Sequence, residues 1–154
     1  KLILNKNSNF DVNTDLLLYL AARSENIKLI KKFYKKKIIL IDRFIDSTIA
    51  YQHYGMGIDI KIINLINKYL LKNIKVDFTF LNIVNKKNMA QRLKSRSNIN
   101  KYDKFDYNFY QRVQKGFLKI ASKNKSKYLI LDSNKDSLDV IENKLINKIK
   151  KILK

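Results

Sequence analysis

The apolar positions change period several times along the chain, and each change predicts a new element. Leu16, Leu17, Leu20, Ile27 and Ile30 recur at helical spacing, with Asn13 or Thr14 placed to cap the helix. The run Lys37-Ile-Ile-Leu-Ile-Asp42 is short and nearly continuous, which predicts a strand buried on both faces of a parallel sheet. Helical spacing returns from about Phe44 to Tyr54 and stops at Gly55-Met56-Gly57. It resumes from Asp59 to Lys72 with Ile62, Ile63, Ile66 and Leu70 inward. Val76 to Ile83 is dense in β-branched and aromatic residues and predicts a second strand. Asn85 caps a predicted helix through Arg96, Ser97 to Asp103 is polar and aperiodic, and a long helix follows to about Ser122. Tyr128 to Asp132 predicts a third strand, and Ser137 opens a C-terminal amphipathic helix. Strands alternate with helices, so the pattern predicts an α/β fold of right-handed β-α-β units around a parallel sheet.

Composition sets bounds on this picture. The 154 residues, 45% of them hydrophobic, suffice for one domain, and no linker, repeat or Pro interrupts residues 1–154. The absence of Cys excludes a disulfide framework and a thiolate zinc site, and the single His53 excludes a histidine-rich metal centre. No run approaches the ~18 apolar residues of a membrane span, and Lys1 to Asn5 is too short and polar for a signal peptide. A cytoplasmic setting without a membrane partner is expected. The net charge of +20 raises the question of nucleic acid. The lysines are dispersed among Asn and Ile, residues with AT-rich codons, so base bias accounts for the charge and no nucleic-acid partner is expected. A positive field still attracts nucleotide phosphates.

In open parallel sheets, ligands bind beyond the carboxyl ends of the strands. Those ends are Asp42-Arg43, Asn82-Ile83 and Asp132-Ser133. Asp42 and Arg43 place a metal-seeking carboxylate beside a bidentate phosphate ligand; the alternative is a capping Asp with a solvent-facing Arg. On a helix starting near Phe44, Ser47, Thr48 and Tyr51 share one face, and Tyr19 and Arg23 lie one turn apart on another helix. Taken alone, Ser47 and Thr48 read as first-turn polar residues, and Tyr19 and Tyr51 as core rings. Arg92 and Arg96 project together with Lys94 offset, a basic face that suits phosphoryl transfer or simply faces solvent.

The segment Asp42-Arg43-Phe44-Ile45-Asp46-Ser47-Thr48-Ile49-Ala50-Tyr51-Gln52 resembles the D-R-x-x-x-S-x-x-A-Y-Q signature of thymidylate kinases at every specified position. Leu16 to Glu25 is similar to that family's first substrate helix, and Gly57-Ile58-Asp59 to its G-[IL]-D segment. Lys75 to Leu81 follows K-P-D-L-T-F-L with Val76 for Pro, and Ile83 stands where many members carry Asp. Ala90 to Arg96 resembles the mobile lid, here residues 85–103. Asn100 to Asp103 and Phe109 to Leu118 follow N-R-[YI]-[ED]…F-x-x-[RK]-V…G-[FY]-L with Lys101 for Arg.

The resemblance implies a three-layer P-loop kinase fold and transfer of the ATP γ-phosphoryl group to dTMP, with Mg2+ and a homodimer. It implies that Tyr19 stacks on thymine, Arg23 and Arg43 hold the monophosphate, Thr48 bonds the thymine edge and Tyr51 crowds the sugar 2′ position. Ser47 and Gln52 complete the dTMP site. Asp42 sits near Mg2+ through water; Arg92, Lys94 and Arg96 close over the transferring group; Asp132 lies next to the loop that flanks adenine. The G-x-x-x-x-G-K-[ST] loop that cradles ATP phosphates in the family is not among these residues, and the chain opens on Lys1 rather than Met. The expectation is therefore a kinase domain lacking its first strand and phosphate loop, inactive by itself. The rival readings are another P-loop nucleotide or deoxynucleoside kinase, a basic nucleic-acid-binding α/β module, and a non-catalytic fragment.

Overall fold

The computed structural model describes residues 5, 7–95, 97 and 100–153. In chain order its elements are α1 (Val12–Phe33), α2 (Ile45–Thr48) running into a π-helical segment (Ile49–Gly55), α3 (Ile60–Leu71), β1 (Thr79–Ile83), α4 (Lys86–Lys94), a 3-10 turn (Lys101–Lys104), α5 (Tyr107–Lys123), β2 (Tyr128–Asp132) and α6 (Leu138–Ile152). They fall into two compact units, Lys1–Val76 with Asn98–Ile120, and Asp77–Ser97 with Ala121–Lys154.

The first unit is helical. Asp11, not Asn13 or Thr14, caps α1, because its Oδ1 accepts from the Asn13 and Thr14 amides at 2.7 and 3.1 Å. Leu16, Leu20, Ile27 and Ile30 form the buried stripe, whereas Leu17 lies about a quarter-turn away and is 61% exposed. Asp59 caps α3. Ile63 is fully buried and Ile62 faces solvent, so the inward stripe runs Ile63, Ile66, Leu70 and meets Leu16, Leu20 and Ile58. A second cluster joins Ala50, Tyr102, Phe109 and Val113, flanked by Tyr19, Tyr51, Phe105 and Phe117. Two glycines let α5 approach the π-helical segment. A Cβ on Gly55 would sit 2.7 Å from a Phe109 ring carbon, and one on Gly116 would sit 2.5 Å from the Tyr54 ring.

The predicted strand Lys37–Asp42 is not a strand. Ile38 and Leu40 are 65% and 80% exposed, and among the described residues no strand lies alongside to complete its ladder of hydrogen bonds. A continuous apolar run therefore fixed the hydrophobicity of this segment but not its pairing.

The second unit holds the sheet among the described residues: β1 and β2, parallel, in register from Thr79 opposite Tyr128 to Ile83 opposite Asp132. Leu81 and Leu131 are buried. The apolar run from Val76 enters the ladder only at Thr79, and Asn85 and Ser137 cap α4 and α6 as predicted. Two parallel strands with helices between and after them make the fold α/β. No helix among the described residues is long and apolar enough to cross a membrane.

Candidate active site

In the first unit Tyr19 and Tyr51 flank the aromatic cluster, Arg43 lies over the Tyr51 ring, and Arg23 bonds to Thr48. α1 carries Tyr19 and Arg23; α2 and the π-helical segment carry Ser47, Thr48, Tyr51 and Gln52. A π-helical segment is uncommon and recurs at functional sites. This one is closed at its end by Arg112, whose Nε and Nη2 donate to the Gly55 carbonyl at 3.3 and 3.1 Å.

Arg23 and Thr48 form one unit. Arg23 Nη2 donates to Thr48 Oγ1 at 2.8 Å, Thr48 is buried, and the guanidinium lies 5.2 Å over the Phe44 ring. Arg23 Nε and Nη1 are buried with no hydrogen-bond partner among the described residues. Burial pulls the Arg23 pKa down by disfavouring the charged form, and the Asp46 carboxylate opposes that shift. Buried donors without acceptors are costly, so the arrangement asks for an acceptor-bearing partner.

Arg43 follows the exposed segment with φ of 61°, a left-handed conformation unfavourable for a residue with a Cβ. Its guanidinium lies 5.2 Å over the Tyr51 ring, and the residue as a whole is exposed. Packing beneath it pulls its pKa down, but Tyr51, Asp42 and Tyr19 outweigh that and the net shift is upward. Asp42 beside it is exposed.

Tyr51 packs edge-on against Tyr102, Phe109 and Phe117, with ring centroids 5.7, 6.0 and 6.3 Å away, and Tyr19 meets Tyr102 at 6.0 Å. Burial raises the pKa of both Tyr19 and Tyr102, so both hydroxyls stay protonated at neutral pH. Gln52 is buried and Ser47 half-buried in the same stretch.

The second unit carries Arg92, Lys94 and Asp132. Arg92 and Lys94 are exposed near the end of α4; Arg96 lies outside the described residues. Asp132 Oδ1 accepts from the Asn134 backbone amide at 3.0 Å and also from its side chain. Asn134 Oδ1 in turn accepts from Asn85 N at 2.7 Å and Asn88 Nδ2 at 3.2 Å, which pins the start of α4 to the loop after β2.

Sequence reasoning missed Asn134, Tyr102 and the ion pair of Lys101 with Asp15. The Asp132-x-Asn134 spacing is an Asx-turn signal that points to the first of these. Nothing in the spacing of Asp15 and Lys101 points to the pair.

Against known proteins, the sequence model of the family described as Thymidylate kinase matches residues 1–145. The thymidylate kinase of Mycoplasma capricolum is 36% identical over 154 residues, covering 97% of this chain and 72% of that protein. That of Wolbachia pipientis wMel is 38% identical over 146 residues, covering 92% and 72%. The crystal structure of thymidylate kinase from Ehrlichia chaffeensis superimposes with a TM-score of 0.66 at 33% identity, covering 97% of this chain and 70% of that one. The α/β fold is thus that of the P-loop kinase-like thymidylate kinases. Family match, relatives and fold agree: the chain belongs to the thymidylate kinase family, the phosphotransferases acting on dTMP.

Proposed function

We propose that the first unit binds dTMP, the acceptor in phosphoryl transfer from ATP, through Tyr19, Arg23, Arg43, Ser47, Thr48, Tyr51 and Gln52. The observation that carries this reading is the part-buried Arg23–Thr48 pair, with two guanidinium donors, Nε and Nη1, left without a partner among the described residues. Arg43 offers a planar fork suited to a phosphate, and its stacking on Tyr51 fixes the direction of that fork. Tyr19 supplies a flat apolar face for thymine, which needs contact more than a set hydrogen-bond pattern. Tyr51, held by three rings and Arg43, is rigid enough to exclude a 2′-hydroxyl by shape.

Arg23 has two possible targets on dTMP. The phosphate is one. The hydrogen bond to Thr48 favours a second, in which Arg23 and Thr48 together read the thymine edge. Thymidine, which lacks the phosphate, separates them. If Arg23 holds phosphate, Arg23→Ala weakens dTMP binding in calorimetric titration and leaves thymidine binding intact; if it reads the base, both weaken. Unchanged binding of both ligands would refute the site.

Mg2+ supplies charge neutralisation at transferring phosphates. No group of three or more metal-ligating side chains gathers among the described residues. A single exposed carboxylate, Asp42, still fits, because Mg2+ keeps several waters and takes few protein ligands. Arg92, Lys94 and Arg96 are proposed to neutralise the transferring group, and Asp132 to set the adenine-side loop through Asn134. A homodimer is proposed from the exposed stripe Ile62, Leu65 and Tyr69 along α3, in a cytoplasmic setting.

A further inference from the structure

Lys101 and Asp15 form a buried ion pair that joins parts of the chain distant in sequence. Lys101 Nζ donates to Asp15 Oδ2 at 2.7 Å and to the Phe10 carbonyl at 3.1 Å. The Asp15 side chain is 1% exposed and that of Lys101 16%. The pair fastens the 3-10 turn Lys101–Lys104 to the start of α1, one residue before Tyr102. Tyr102 is then held from several directions. Asn100 and Asp103 close a capping box across the turn, Tyr110 donates to the Tyr102 carbonyl at 2.6 Å, and the Tyr102 ring meets both Tyr19 and Tyr51. The Tyr102 ring thus touches both of the tyrosines assigned to thymine and to the sugar.

We propose that the Asp15–Lys101 pair is a positioning clamp for the dTMP site: it seats Tyr102 between Tyr19 and Tyr51 and so sets the space left for thymine and deoxyribose. The proposal rests on the dTMP reading above. A salt bridge placed only for stability would be a poor choice here, since burying two charges offsets much of their attraction. A buried pair is better suited to fixing one arrangement among several close-packed ones. The clamp is also incomplete. Asp15 Oδ1 has no hydrogen-bond partner among the described residues, because an ammonium meets the carboxylate at one oxygen. A guanidinium can engage both oxygens.

The test uses Lys101→Met, Asp15→Asn, their combination and Lys101→Arg, with calorimetric titration of dTMP and of its ribonucleotide counterpart, and melting followed by circular dichroism. The clamp predicts that Lys101→Met and Asp15→Asn each weaken dTMP binding about tenfold and narrow the preference for the deoxy sugar. The double variant is predicted to be no worse than either single one, as expected of two halves of one interaction. Lys101→Arg is predicted to keep affinity and preference and to melt higher. Variants that melt lower yet bind both sugars with wild-type affinity and ratio, titrated well below their melting points, would overturn the clamp. If Lys101→Met fails to fold, the isosteric Asp15→Asn carries the same comparison. Wild-type protein that does not bind dTMP would instead overturn the site reading beneath it.

Discussion

Replacing Arg23 by Met separates a residue kept for binding from one kept for stability. The substitution removes two buried donors that lack partners, and each such group costs about 1–3 kcal/mol, so about 2–6 kcal/mol is recovered. It also removes the charged hydrogen bond to Thr48, about 1.5–3 kcal/mol, and the contact over Phe44, about 0.5–2 kcal/mol. Thr48, 2% exposed, is left without that donor at a further cost of about 1–3 kcal/mol. The opposing sums nearly cancel, so the unliganded variant should lie within about 2 kcal/mol of wild type. At about 2–4 °C per kcal/mol for a chain of this size, Tm moves by no more than about 8 °C. Binding should respond differently. Loss of a single charge-assisted contact to dTMP costs about 1.5–3 kcal/mol, a roughly 10- to 150-fold rise in Kd. Differential scanning calorimetry without ligand and titration with dTMP read the two effects separately. A large fall in Tm with unchanged dTMP affinity would make Arg23 a structural residue and refute the reasoning.

Other substitutions probe neighbouring parts of the site. Arg43→Lys carries the same left-handed backbone penalty, so Tm should hold while dTMP Kd rises by about tenfold or more, as a point charge replaces a fork; unchanged affinity would place Arg43 outside the site. Tyr51→Ala should cost about 3–5 kcal/mol of stability by emptying a pocket lined by three rings, and should also narrow the dTMP-to-ribonucleotide affinity ratio, which Tyr51→Phe keeps; a fixed ratio would leave Tyr51 as core only. Gly116→Ala forces a methyl to within 2.5 Å of the Tyr54 ring and should lower stability by about 1–3 kcal/mol on chemical denaturation; wild-type stability would mean that α5 does not pack as described.

Much of the fold was legible because local signals and tertiary packing agree. Asn85 and Ser137 cap the helices expected of them, and β2 spans Tyr128–Asp132, as its apolar run predicted. The failures share a cause. Lys37–Asp42 has the composition of a buried strand, but pairing is a property of two segments, and composition names only one. Leu17 and Ile62 face outward although apolar residues crowd both sides of those helices, because the partner helix decides which side is buried. Among the residues singled out by their helical spacing, Tyr19 and Tyr51 flank one aromatic cluster, Arg43 lies over the Tyr51 ring, and Arg23 bonds to Thr48. Tyr102 and the Asp15–Lys101 pair escaped because they depend on contacts across more than eighty residues of chain.

The central claim is that dTMP binds among Tyr19, Arg23, Arg43, Thr48 and Tyr51 in the first unit. Hydrogen–deuterium exchange followed residue by residue, with and without saturating dTMP, tests this most directly. The account predicts slowed exchange in the amides of residues 16–23, 43–55 and 101–105, and little change along β1 and β2. Protection confined to Thr79–Ile83 and Tyr128–Asp132, or no protection at a concentration where titration shows binding, would contradict it.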